Sequence, residues 1–129
     1  MTEKIVFVPQ ADPLKGPLQP EIREVDLTLQ TMQGLVGGYL QCLALDYADG
    51  TTIHMWINED GRNTGLFPNR IVQRPIDGAE FPIVGDFFIA ATASDGEDVG
   101  LTNAQAEEWL TRMQEATAGC VAAPGMGEA

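Results

Sequence analysis

A chain of 129 residues with 44% hydrophobic content is one domain of ordinary size, long enough to bury a core without disulfide or metal staples. Its 19 acidic residues against 7 basic ones give a formal net charge of −12, which disfavours direct binding to nucleic acid or to an anionic membrane, because both need a basic footprint. The imbalance grows along the chain: 9 acids meet 6 bases through residue 74, a net of −3, and 10 acids meet Arg112 alone thereafter, a net of −9.

The opening "MTEKIVFVPQ" has neither a long apolar region nor a small-residue cleavage site, so no signal peptide is expected there. Residues 4–9 are β-branched and aromatic and read as a first strand, stopped by Pro9. Residues 10–20, rich in proline, read as an irregular exposed loop, and 21–27 as a weaker strand. Thr28 is a natural N-cap for a short helix carrying Leu29, Met32, Leu35 and Val36 at helical spacing, with Gly37 and Gly38 as its stop.

Two apolar runs, 39–47 and 52–58, flank Ala48-Asp49-Gly50 and predict a central β-hairpin. Period-2 geometry puts Ile53, Met55 and Ile57 on one face of its second strand, and Thr52, His54, Trp56 and Asn58 on the other. Residues 66–75 read as one short helical turn between Pro68 and Pro75, and 76–82 as a loop. The run 83–93 reads as one buried strand bent at Gly85-Asp86, followed by an acidic turn. Residues 102–119 predict a helix opened by a Thr102/Gln105 capping box, with Ala106, Trp109, Leu110, Met113 and Thr117 on its buried stripe.

This order predicts a single small α+β domain over residues 1–118, with a mainly antiparallel sheet and two helices packed on one face. Residues 119–129 read as a flexible tail. Cys42 and Cys120 form no disulfide framework, and no apolar run reaches membrane-spanning length, so a reducing cytoplasm is the expected compartment. Cys42 is expected to be packed and inert, and Cys120 to lie exposed in the tail.

Chemistry has few handles. A single histidine, His54, excludes a multi-histidine metal site, and no phosphate-binding loop, dinucleotide fingerprint or nucleophile elbow is present. The "NEDGRN" stretch fails as a calcium loop: counted from Asn58, its sixth residue is Asn63 and its twelfth Asn69, where glycine and glutamate are needed. No metal and no cofactor are expected. A polar group of Asn58, Glu59, Arg62, Asn69 and Arg70 remains. Either Arg70 braces the loop by pairing with Glu59 or Asp86, or Asn58, Asn69 and Arg70 present donors to a ligand or a partner's backbone.

The segments "VGGYLQCLAL", "MWINEDGRNTGLFPNR" and "IVGDFFIA", in this order and spacing, resemble a family of small uncharacterised domains that occur in bacteriophages, plasmids and actinobacterial genomes. The shared pattern falls on Gly37, Gly38 and Tyr39; on Asn58, Glu59 and Gly61; on Asn69 and Arg70; and on Gly85 with Asp86. The resemblance implies a compact α+β domain in a mobile-element context and supplies no catalytic residues.

Function is therefore expected to be non-enzymatic: binding of a host protein that presents a basic surface, in counter-defence or host takeover, through the acidic half. Mimicry of nucleic acid is one version. The alternatives are a small-ligand, nucleotide-like site built from Tyr39, His54, Trp56, Asn58 and Arg70, and a structural homo-oligomer joined through the edge of the hairpin. An enzyme would need an unseen constellation such as His54 with Asp46 or Glu59.

Overall fold

Central strands that are apolar on both faces determine this architecture. The computed structural model describes residues 2–118 except 13, 49 and 62–64. Strand β1 (Glu3–Val8) buries four consecutive residues, and β7 (Phe87–Thr92) buries five. Strands covered on both sides read as unbroken apolar runs of this kind, whereas half-exposed strands alternate. These two pair antiparallel at the centre of the larger sheet, whose order is β2 (Glu21–Val25), β1, β7, β4 (Thr51–Asn58), β3 (Leu40–Ala48). A two-residue strand, β8 (Asp98–Val99), pairs with β7 beyond the end of β1. The predicted hairpin is β3–β4, with a register shift between Ala44 and Asp46. Gly50 of its turn is described, and Asp49 lies outside the described residues.

The second sheet has three strands in the order β6 (Glu80–Val84), β5 (Pro68–Gln73), β9 (Thr117–Ala118), again antiparallel. Here the sequence reading needs two corrections. Residues 68–73 are strand and not a helical turn. The prolines at 68 and 75 resemble helix boundaries, but Pro68 takes the first position of a strand, where proline is tolerated, and Ile71 and Val72 are β-branched, so pairing with β6 wins. The run 83–93 is likewise two strands in two sheets, turned at Gly85, whose φ is 78°. That left-handed corner is too sharp for one bent strand.

Helix α1 (Leu29–Val36) starts where the Thr28 side chain accepts from the Thr31 N–H and stops at left-handed Gly37. Of the residues at helical spacing, Met32 and Val36 are buried and Leu29 is exposed. Helix α2 (Asn103–Glu115) has both halves of the Thr102/Gln105 capping box. It ends before the predicted residue 119, because Ala116 turns extended and residues 117–118 leave to pair with β5.

The helices pack on opposite faces of the large sheet, not on one face as the sequence reading has it. Val6, Val8, Ile53, Met55 and Ile89 point to the side covered by Ala106, Trp109 and Met113 of α2, and by Val72 and Ile83 of the small sheet. Ile5, Phe7, Phe88 and Trp56 point the other way, to Met32 and Val36 of α1. Neighbours along a strand alternate faces, so two-sided apolar strands require cover on both sides. Each fully buried large side chain here contributes about 1.5–3 kcal/mol.

Candidate functional site

The residues of the shared pattern fall into two groups: Gly38, Asn58 and Glu59 where helix α1 meets the hairpin, and Asn69, Arg70, Gly85 and Asp86 around the small sheet. Asn58, the last residue of β4, donates from Nδ2 to the Val36 carbonyl at 3.2 Å and accepts the Asp60 N–H on Oδ1 at 2.8 Å. It therefore satisfies a carbonyl at the end of α1 and forms the turn after β4 with one side chain. Gly38 leaves room for that amide: a Cβ at this position would lie 2.6 Å from Asn58 Nδ2. The Glu59 N–H donates to the Tyr39 carbonyl at 2.8 Å, extending the β3–β4 ladder. Asn58 and the glycine pair thus form one unit, linking α1 to the hairpin.

This unit makes a prediction. Gly38→Ala is expected to cost about 1–2 kcal/mol, and Asn58→Ala about 1 kcal/mol. In the double variant the Gly38→Ala penalty should largely vanish, because the obstructed amide is gone. Urea unfolding of the four proteins measures this; strictly additive losses would refute the coupling.

Asn69 and Arg70 lie on β5 and are the buried polar residues among those described, 0% and 4% exposed. Adjacent strand residues ordinarily point to opposite sides. Here β5 has an extra residue between Pro68 and Ile71 relative to β6, and this bulge re-aims the pair so that both are inward. Asn69 Nδ2 donates to the carbonyls of Val8 at 2.9 Å and Gly85 at 2.7 Å, and its Oδ1 accepts from Arg70 Nη1 at 3.1 Å. Arg70 Nε donates to the Met113 carbonyl at 3.1 Å and Nη2 to the Leu18 carbonyl at 2.6 Å. The expected pairing of Arg70 with Glu59 or Asp86 is thus replaced by a clamp on backbone oxygens and Asn69. Asp86 accepts the Gln10 N–H at 2.7 Å instead, fixing the chain after β1. A fixed guanidinium fork reaches several carbonyls at once, which suits it to this irregular junction.

The aromatic members belong elsewhere. His54 and Trp56 lie on the α1 face of the large sheet, and Arg70 lies in the small sheet against the end of α2, so they do not form the expected ligand pocket. Trp56 stacks on Phe88 with ring centroids 6.5 Å apart, and its buried indole N–H has no hydrogen-bond partner in the structure. His54 Nδ1 is 2.8 Å from Thr92 Oγ1; burial lowers the imidazole pKa below its ordinary value, with the Asp98 charge opposing. Tyr39 is 69% exposed. Cys42 is a free, exposed thiol and not a packed one, yet partial desolvation and then Asp98 push its pKa up to about 11, which leaves it a poor nucleophile. Arg62, Cys120 and the tail lie outside the described residues. Among the described residues no group of three or more histidine, cysteine or acidic side chains is placed to hold a metal ion.

A model of a domain of unknown function, DUF3846, matches residues 12–114. The chain belongs to the DUF3846 family. The match is wider than the resemblance drawn from the sequence and consistent with it: it takes in α1, all of α2 but its last residue, and all strands from β2 to β8. No curated protein and no solved structure matches the chain. In this DUF3846 domain the pattern residues Gly38, Asn58, Asn69, Arg70, Gly85 and Asp86 are engaged by the fold. Two surface features carry no motif: the open edge of β3, the hairpin edge on which the homo-oligomer alternative rests, and the groove of about 400 Å³ between it and β6. Their only signal in the sequence is an uncharged stretch, "LQCLA". Among the described residues no helix is long and apolar enough to cross a membrane.

Proposed function

We propose that this DUF3846 domain is a non-enzymatic binding protein of a bacteriophage or other mobile element, acting on a host protein through an acidic surface. The observation that supports this reading is the disposition of charge. Glu107, Glu108 and Glu115 on the outer side of α2, Asp95 and Glu97 in the turn after β7, and Asp98 at the start of β8 are all exposed. Arg112, the lone base after residue 75, is held by Glu108 at 3.0 Å and so is committed locally. A field of one sign steers a basic partner to the surface and raises its association rate. Of the side chains that a catalytic reading would use, His54 is hydrogen-bonded to Thr92 and Asp46 accepts the Tyr47 N–H.

The test is capture from a bacterial host lysate on the immobilised domain. Raising salt from about 0.01 M to about 1 M shortens the screening length from roughly 30 Å to roughly 3 Å, so a specific partner should be retained at the first and released at the second. Glu107→Lys with Glu108→Lys should lower retention at low salt. Capture that ignores both salt and charge reversal would overturn this reading.

A further inference from the structure

We propose that the open edge of β3 and the groove beside it accept an extended, basic-and-apolar segment of a partner protein, which joins the large sheet as an added strand. The inference rests on the reading of the domain as a protein binder, but it puts the contact on the sheet edge and specifies the shape of what docks there.

The first observation is the state of the edge. The Glu59 N–H to Tyr39 carbonyl bond sets the phase of the β3–β4 ladder, so the main-chain groups of Leu40, Cys42 and Ala44 point away from β4. From Ala44 onward the edge is covered: Arg74 Nη1 donates to the Ala44 carbonyl at 3.2 Å, and the Ile76 N–H to the Leu45 carbonyl at 3.2 Å. Arg74 is itself held by Asp77 through two 2.7 Å contacts, so this cover is fixed. Among the described residues nothing bonds to the outward groups of Leu40 and Cys42. The other edge of the sheet, β2, carries Glu21, Arg23 and Glu24, all exposed, and such charges blunt an edge against pairing. The stretch from Leu40 to Ala44 carries none.

The second observation is the groove. It has a volume of about 400 Å³ and is lined by Leu43 and Ile57 on the large sheet, Phe81 and Ile83 on β6, and Gln41 and Glu59. A strand paired with Leu40 and Cys42 would send alternate side chains to this side of the sheet, where apolar ones meet Leu43, Ile57 and Phe81. The third observation is charge. Glu59 is exposed and forms no ion pair among the described residues, so the groove carries a carboxylate available to a partner. A second copy of this chain brings another −12 and is disfavoured as the occupant, while a basic segment is attracted.

The experiment uses the full chain, labelled with nitrogen-15, and short synthetic peptides in which lysine alternates with valine. The amides of Leu40 and Cys42 should shift and exchange more slowly with solvent when this peptide is added. A peptide with proline in place of its central valine should bind about tenfold more weakly, since it loses a main-chain donor. Leu43→Asp should weaken binding about tenfold, and the surface change Glu59→Gln a few-fold, which keeps the test independent of any folding defect in the first. Equal binding of the proline peptide, or no binding of either, overturns the proposal. Shifts confined to α2 and the 95–98 turn overturn it too, while leaving the acidic-surface reading standing. So does a dimer whose Leu40 and Cys42 amides are already protected without peptide. Failure of the acidic-surface reading shows separately, as lysate capture indifferent to charge reversal on α2.

Discussion

Arg70→Ala is expected to lower the unfolding free energy by about 3–5 kcal/mol, the largest loss from any single polar side chain in the domain. The guanidinium is 4% exposed and bonds to the Met113 carbonyl, the Leu18 carbonyl and Asn69 Oδ1. Truncation leaves those acceptors away from water with the donor gone, and an unmade bond at a buried acceptor costs more than a made one gains. Against a typical domain stability of about 5–15 kcal/mol, the loss is a large part of the total. Arg70→Lys should recover no more than about 1 kcal/mol, because a point-like ammonium cannot reproduce a planar fork aimed at separate carbonyls. Urea midpoints of the three proteins measure the effect. If Arg70→Ala unfolds within about 1 kcal/mol of the parent, the clamp is not what holds α2 to the small sheet.

Gly85→Ala is expected to cost about 2–4 kcal/mol, from two sources that add at one atom. A φ of 78° is strained for any residue with a Cβ, by about 1–2 kcal/mol. The added methyl would also lie 2.6 Å from Leu66 Cδ1 and 3.4 Å from Leu66 Cβ. The side-chain tip can move, but Leu66 sits at the same junction, so part of an overpacking penalty remains. The Leu66→Ala background separates the two: there the cost should fall to the backbone strain alone. Thermal unfolding of both pairs decides it, and an equal penalty in the two backgrounds would show that crowding contributes nothing.

These two residues also mark the limits of the sequence as a guide. The hairpin was legible because Asp49-Gly50 and the flanking alternation are local signals, and α2 because its cap and stripe lie within thirteen residues. The buried faces of β4 were legible for the same reason. What could not be read locally was partnership. Pro68 to Gln73 is a strand only because β6 lies beside it, and "IVGDFFIA" is two strands only because Gly85 adopts a left-handed corner. The placement of helices on both faces was present in "IVFV" and "FFIAA", whose unbroken apolar character calls for cover on two sides. The candidate site followed the same division. Asn58, Asn69 and Arg70 stand out in the sequence as part of a polar group, yet the bulge that turns Asn69 and Arg70 inward depends on a register no local pattern reveals. The open edge of β3 carries no motif, because it consists of main-chain groups and a lack of charge.

The position of β7 between β1 and β4 has a consequence for how the protein is made. β1 pairs with β2, and β3 with β4, within the first 58 residues, but the two pairs are joined only through Phe87–Thr92. On the ribosome, which adds about 5–20 residues per second, they wait several seconds for the strand that connects them. During that interval the inner edges of β1 and β4 both lack their partner strand. Contacts so distant in sequence also slow the search itself. The large sheet is therefore completed only late in synthesis, once Phe87–Thr92 is available to connect the two strand pairs.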